Sequence, residues 1–210
     1  MRILVLATAE QREELIAHTI HTDAVLVWID GPVAPTGNQQ FDACIDLGFE
    51  NNTNRIQWLR DTKAPLIIIN SVITSLYEIK EPFIRINGWN TFLKRPIIEA
   101  ACEQEALKEK ATSLFLLLGR KTEWVDDVPG FISPRVVVSI INEAYMTLEE
   151  NVSVEEEIDI AMKMGTNYPY GPFEWAKRIG LSNVFYLLEA LSKQQSRYVP
   201  CKLLQQNVLA

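Results

Sequence analysis

Residues 65 to 70 read Pro-Leu-Ile-Ile-Ile-Asn, an aliphatic run with no polar residue inside it. A strand with one wet face alternates apolar and polar side chains. A strand that does not alternate must be covered on both faces, as in the interior of a parallel sheet packed between helices. That run therefore demands helices above and below it, and the rest of the chain can be searched for them.

The first half supplies them in alternation. Strands are expected over Arg2–Leu6, Ala24–Ile29, Phe41–Leu47, Pro65–Asn70, Phe83–Trp89, Pro96–Cys102 and Lys121–Val125. Helices are expected over Glu10–His21, where Leu15, Ile16 and Ile20 recur at helical spacing, over Asn54–Thr62, and over Glu103–Leu118, closed by Gly119. Residues 32 to 40, rich in Pro, Gly, Asn and Gln, read as a turn-rich linker. Strand-helix alternation of this kind gives an α/β fold: a parallel sheet with right-handed crossovers.

From Asp126 the strand signals stop and helical periodicity takes over. Ser133 is placed to cap a helix with Pro134 at its first position, and Val136, Val137, Ile140, Ile141, Ala144 and Leu148 line a broad apolar face. Ser153 and Glu156 have the spacing of a capping box, for a helix that stops at Gly165. Pro172 opens a helix ended by Gly180, and Leu181–Leu191 forms another. The reading is an α/β domain over 1–126 and an all-α domain over 127–210. A chain of 210 residues allows that division, and buries enough surface, roughly 70%, to hold a core without disulfide staples.

Composition closes off several function classes. The net charge is −7, and no run of Lys and Arg is long enough to follow a phosphate backbone, so no nucleic acid is expected as partner. No apolar stretch approaches the ~20 residues of a membrane span, so no membrane is expected either. Ile3–Ala9 with Ala7-Thr8-Ala9 superficially resembles a secretory leader. It is short, however, and runs straight into Glu10, Arg12, Glu13 and Glu14, as a buried first strand would. Cys44, Cys102 and Cys201 are widely spaced and odd in number, which fits a reduced, cytoplasmic protein. The two histidines, His18 and His21, have no carboxylate spaced to complete a metal site, so no metal is expected.

The second half carries a dense, ordered set of motifs. They are Asp127-Val-Pro-Gly-Phe-Ile-Ser-Pro-Arg135, Asn142-Glu-Ala144, Glu157-Ile-Asp-Ile-Ala-Met-Lys-Met-Gly165, Tyr168-Pro-Tyr-Gly-Pro-Phe-Glu174 and Ile179-Gly-Leu181, then Arg197-Tyr198 and Pro200 before Leu203-Leu204. Together they resemble the C-terminal helical domain of the 3-hydroxyacyl-CoA dehydrogenases. The resemblance is close over 65–204 and faint over 1–60. It implies a Rossmann-like N-terminal domain that binds NAD, shortened here. It also implies a helical domain that makes a homodimer, and an acyl-CoA as ligand. The family reaction oxidises the 3-hydroxyl of the acyl chain. It uses a His base oriented by a Glu, with a Ser and an Asn near the substrate oxygen.

Placed on this sequence, the resemblance puts the three phosphate-loop glycines at Ala7, Ala9 and Arg12. Such glycines give a tight turn, close approach to the diphosphate, and close helix–strand packing, so Arg12 is expected to push helix and strand apart. Asp30 keeps the place of the ribose-binding carboxylate, and Glu50-Asn51 resembles a Glu-Asn pair beside the nicotinamide; a turn cap and a solvated loop are the plain alternatives. The catalytic Glu falls on Glu99, the His on Asn87, the Asn on Pro134, and the Ser near Val72, with Ser71, Thr74 or Ser75 in reach. An amide holds no proton at pH 7. The expectation is a family protein weak or inactive in NAD-linked oxidation. A non-catalytic acyl-CoA-binding or dimeric scaffold relative is the alternative. A dehydrogenase acting on a sugar acid without CoA would need the same missing His.

Overall fold

The computed structural model describes residues 1–32 and 39–209, so most of the linker expected over 32–40 lies outside the described residues. The described residues divide into two compact units, Met1–Phe131 and Ile132–Ala210.

The first unit runs β1 (Arg2–Leu6), α1 (Ala9–Leu15), β2 (Val25–Ile29), β3 (Ala43–Asp46), α2 (Thr53–Asp61), β4 (Ile67–Asn70), α3 (Leu76–Ile79), β5 (Ile84–Ile86), β6 (Ile97–Ala101), α4 (Glu105–Leu117) and β7 (Lys121–Trp124). These strands form one sheet in the order β2-β1-β3-β4-β5-β6-β7. Both faces are covered, as the aliphatic run requires. Ile3, Val5, Ile45 and Ile68 pack with Leu15 of α1 and Leu114 and Phe115 of α4. Leu4, Cys44 and Ile69 pack on the other face with Trp58 and Leu59 of α2 and Leu76 and Ile79 of α3.

All neighbouring strands pair in parallel but one. β5 and β6 are antiparallel, with Arg85 opposite Ala101. The expected parallel sheet is kept in the other neighbour pairs and reverses there for a geometric reason. A parallel crossover needs a dozen or more residues, usually a helix. The segment between Ile86 and Ile97 is shorter, and it folds into turns closed by Phe92 N–H to the Trp89 carbonyl and Arg95 N–H to the Phe92 carbonyl. α1 is also shorter than its periodicity suggests. It ends at Leu15, and the chain then loops back so that His21 N–H bonds the Leu117 carbonyl at 2.7 Å.

A fully buried guanidinium holds this corner together. Arg120 donates from Nε to the Leu93 carbonyl (2.9 Å), from Nη1 to Leu118 (2.7 Å) and from Nη2 to Glu14 (2.8 Å). Burial lowers its pKa to about 10, still far enough above 7 to keep the charge. Three carbonyl dipoles supply the solvation that water no longer can.

The second unit is helical: α5 (Ser133–Glu149), α6 (Glu155–Thr166), α7 (Pro172–Ile179), α8 (Leu181–Ser192), a 3-10 turn at Ser196–Tyr198, and α9 (Lys202–Leu209). Two expected caps differ. Ile132, not Ser133, is the residue before α5, so Ser133 lies inside its first turn. Ser153 Oγ bonds Glu157 rather than closing a box with Glu156, and Val154 precedes α6. α6 ends past Gly165, on Asn167 in the left-handed conformation (φ 56°).

The motifs of this unit are joints of the framework. Buried Asp159 accepts from Phe173 N–H (2.8 Å) and Glu174 N–H (3.1 Å), so α6 caps the start of α7. Gly171 must be glycine, because a Cβ there would lie 2.2 Å from the Asp159 carboxyl. Asn142 on α5 clamps the terminal stretch, donating to the Val199 carbonyl (3.0 Å) and accepting from Cys201 N–H (2.9 Å). A Gly171→Ala variant therefore has to push Asp159 off two backbone amides. Chemical denaturation should show a loss of about 2–4 kcal/mol, and an unchanged midpoint would refute the close approach.

Candidate functional site

In an open parallel sheet, ligands bind beyond the carboxyl ends of the strands, where the strand order reverses. Here β1 is flanked by β2 on one side and β3 on the other, so the reversal lies at the ends of these three strands. The loops after β1, β2, β3, β4 and β5 carry nearly every residue expected to act.

A seam of amides ties these strand ends together. The Leu47 carbonyl, just past β3, accepts from Gln11 Nε2 of α1 and from Asn70 Nδ2 at the end of β4, each at 3.0 Å. Asn70 Oδ1 in turn accepts from Gly88 N–H past β5, also at 3.0 Å. Gly88 makes this approach possible, since a Cβ would lie 2.8 Å from Asn70 Cγ.

Asn87 and Glu99 do come together. Asn87 Nδ2 donates to Glu99 Oε2 at 3.1 Å, and their backbones pair at 3.0 Å, extending the β5–β6 ladder by one residue. Both side chains are buried. The two residues that the resemblance aligns with the Glu and the His are thus hydrogen-bonded neighbours, and the second is a carboxamide. Because a carboxylate accepts only, Nδ2 faces Glu99 and Oδ1 faces away.

Ser71 is spent on its own turn, donating from Oγ to the Thr74 carbonyl at 2.8 Å. The loop it sits in is clamped by Arg85, fully buried on β5. Its Nη1 donates to Thr74 (2.7 Å), its Nη2 to Val128 (2.8 Å), and its Nε lies 2.9 Å from Asp127 Oδ1. The other Asp127 oxygen accepts the Leu76 and Tyr77 amides. Burial pulls the Arg85 pKa down to about 10, against the pull of Asp127.

The cofactor-side residues are arranged differently from the expectation. Ala7 is buried and its neighbour Ala9 exposed at the start of α1. Arg12 does not wedge between α1 and β1. Its guanidinium lies over the Trp28 ring, 5.3 Å from the centroid, and forms an ion pair with Asp30. The side chain leaves by the β2 side, so Leu15 still packs into the core and helix and strand stay together. Glu50 is exposed and accepts from Asn52, the residue that caps α2. None of this fits NAD. The loop has no glycine, its Thr8 amide is already bonded to Gln11 Oε1 at 3.0 Å, and the ribose carboxylate already holds an arginine.

Neither histidine faces this edge with a free ring. His18 Nε2 lies 2.9 Å from the Lys94 carbonyl, and His21 Nδ1 accepts from Asp23 N–H. Among the described residues no group of His, Cys, Asp and Glu could hold a metal ion.

Gln11, Asn70, Arg85 and the Asp46–Arg55 pair were not singled out from sequence. The last two had a signal: Asp46 ends an apolar run, and Arg85 stands between two isoleucines. A charge inside an aliphatic strand must be paired in the fold. Fully buried Asp46 lies 2.7 Å from Arg55 Nε. Burial raises its pKa to about 6, against the opposing pull of Arg55. Because the folded-state pKa exceeds the unfolded one, protonation favours the fold. That contribution is full below about 4 and is lost as pH rises through about 6. Carbon NMR of the Asp46 carboxyl should show a midpoint near 6; an ordinary midpoint near 4 would mean the arginine outweighs burial.

The family description "3-hydroxyacyl-CoA dehydrogenase, C-terminal domain" matches residues 130–210. The chain is 38% identical over 115 residues to 3-hydroxyadipyl-CoA dehydrogenase of Escherichia coli K12, covering 54% of this chain and 24% of that protein. It is 40% identical over 114 residues to a probable 3-hydroxybutyryl-CoA dehydrogenase of Bacillus subtilis 168, covering 53% and 37%. The chain thus spans less than half the length of these curated relatives. In three dimensions it is similar to (S)-3-hydroxybutyryl-CoA dehydrogenase PaaH1 from Ralstonia eutropha. The TM-score is 0.75 at 20% identity, over 99% of this chain and 93% of that one, a likeness of fold.

Proposed function

We propose that this chain belongs, through its helical unit, to the 3-hydroxyacyl-CoA dehydrogenase family, that it keeps the family's framework, and that it has lost its oxidation. It holds an acyl-CoA without converting it. The observation that carries this reading is the carboxamide of Asn87 against Glu99.

The family reaction removes a hydride from C3 and a proton from the hydroxyl on it. The hydride goes to a nicotinamide, and the proton needs a base within hydrogen-bond reach. Asn87 Oδ1 can accept a hydrogen bond from such a hydroxyl, but it cannot take the proton at neutral pH. Glu99 is engaged by Asn87 Nδ2. Ser71 donates to its own turn. What remains is a place that can orient a hydroxyl and has no imidazole to deprotonate it with. Loss of a general base alone slows such a reaction about 10²–10⁴-fold.

The reading also includes a homodimer through the C-terminal helices. It is supported by the apolar side chains that Ile132 and Val136 leave exposed at the start of α5. The free thiols Cys44, Cys102 and Cys201 support a reducing, cytoplasmic setting. No helix among the described residues is long and apolar enough to cross a membrane.

Two measurements test this. With 3-hydroxybutyryl-CoA and NAD, NADH absorbance should not rise above background, while acetoacetyl-CoA alone should raise the melting temperature. Turnover at an ordinary enzymatic rate would overturn the loss of oxidation, and no shift with any acyl-CoA would leave only a scaffold. Sedimentation at micromolar concentration should give twice the chain mass; a monomer would refute the dimer.

A further inference from the structure

We infer that the turn from β1 into α1 is closed to dinucleotides by the chain's own side chains, with Gln11 in the place of the diphosphate and Arg12 in the place of the ribose. This stands apart from whether an acyl-CoA binds, because it rests on the β1–α1 turn and the ends of β2 and β3 alone.

A nucleotide-binding turn works by leaving polar groups unfinished. Its backbone N–H groups point at empty space until phosphate oxygens arrive, and the carboxylate after the second strand waits for ribose hydroxyls. In this chain the Thr8 and Gln11 amides of that turn, and the carboxylate after the second strand, already have partners. Gln11 Oε1 accepts from the Thr8 amide at 3.0 Å, and Thr8 Oγ1 accepts from the Gln11 amide at 3.3 Å, which closes a reciprocal capping box. The same Gln11 side chain donates from Nε2 to the Leu47 carbonyl at 3.0 Å. It therefore lies buried across the gap between the β1 and β3 ends, where the order of strands reverses. At the β2 side the Arg12 guanidinium neutralises Asp30 and covers Trp28. A ligand diphosphate would have to break the Thr8 and Leu47 bonds of Gln11, and ribose hydroxyls would have to share an exposed Asp30 with the Arg12 cation.

The glycine losses and these two side chains make separate claims, and the experiment separates them. One variant carries Ala7→Gly and Ala9→Gly only. A second adds Gln11→Ala and Arg12→Ala, which removes the two side chains without restoring the third glycine. NADH binding is followed by its fluorescence, with circular dichroism to show that each protein is folded. Wild type and the glycine-only variant should show no saturable binding up to about 1 mM NADH, and the fourfold variant should bind at least about tenfold more tightly than that limit. Binding by wild type overturns the inference. So does binding by the glycine-only variant, which would place the block in the missing glycines, or a folded fourfold variant that still ignores NADH. Should the fourfold variant not fold, wild type decides by itself. Its Thr8 amide proton should exchange slowly, with an NMR shift unmoved by millimolar NADH or inorganic pyrophosphate. A fast-exchanging or pyrophosphate-sensitive Thr8 overturns the inference.

Discussion

The first unit depends on one carbonyl. Leu47 O accepts an amide from α1 and another from the end of β4, and β4 passes the connection to Gly88 beyond β5. Strand ladders fix where strands lie, but they end at the strand ends, exactly the region where an α/β sheet presents its loops. Here the seam from Gln11 to Gly88 continues the cross-linking outside the ladder. It holds the loops of three strands and one helix start in a single register. Asn87, next to Gly88, is aimed at Glu99 because this seam and the antiparallel pairing leave its backbone no other course.

Much of the scaffold could be read from residue pattern because that pattern reports burial. The Leu66–Ile69 run demanded two covered faces and has them. The long helix before Gly119 and the helix that Pro172 opens lie within a residue or two of expectation. What pattern could not report was direction. The reversal between β5 and β6 follows from the length of the segment joining them, a count that competes with the general rule of right-handed crossovers and wins over it. α3, four residues long, has too little periodicity to be seen.

At the candidate site the meeting of Asn87 and Glu99 was legible, and the bonding around the β1–α1 turn was not. Asn87 and Glu99 meet as the resemblance implied. Arg12 was expected to force helix and strand apart, on the premise that its side chain must stay where a glycine would be. A long flexible stem can instead lie along an indole and carry its charge to a carboxylate, which offsets the cost of the bulk. Gln11 carries no signal in the sequence, because glutamine is ordinary in a helix; its importance comes from Leu47, distant in sequence and adjacent in space. The motifs that identify the helical unit turn out to be Asp159, Gly171 and Asn142, each serving a cap, a close approach or a clamp. They report architecture, and architecture is what the family likeness rests on.

The anchor at Arg120 bears on how the molecule comes into being. Its guanidinium reaches the Glu14 carbonyl across 106 positions of chain. Contacts so remote in sequence close late, after the loops between them have been drawn in. During synthesis the first strand and helix therefore emerge long before the cation that secures them. The anchor can form only once β6 and α4 have been synthesised, because Arg120 follows both in the chain.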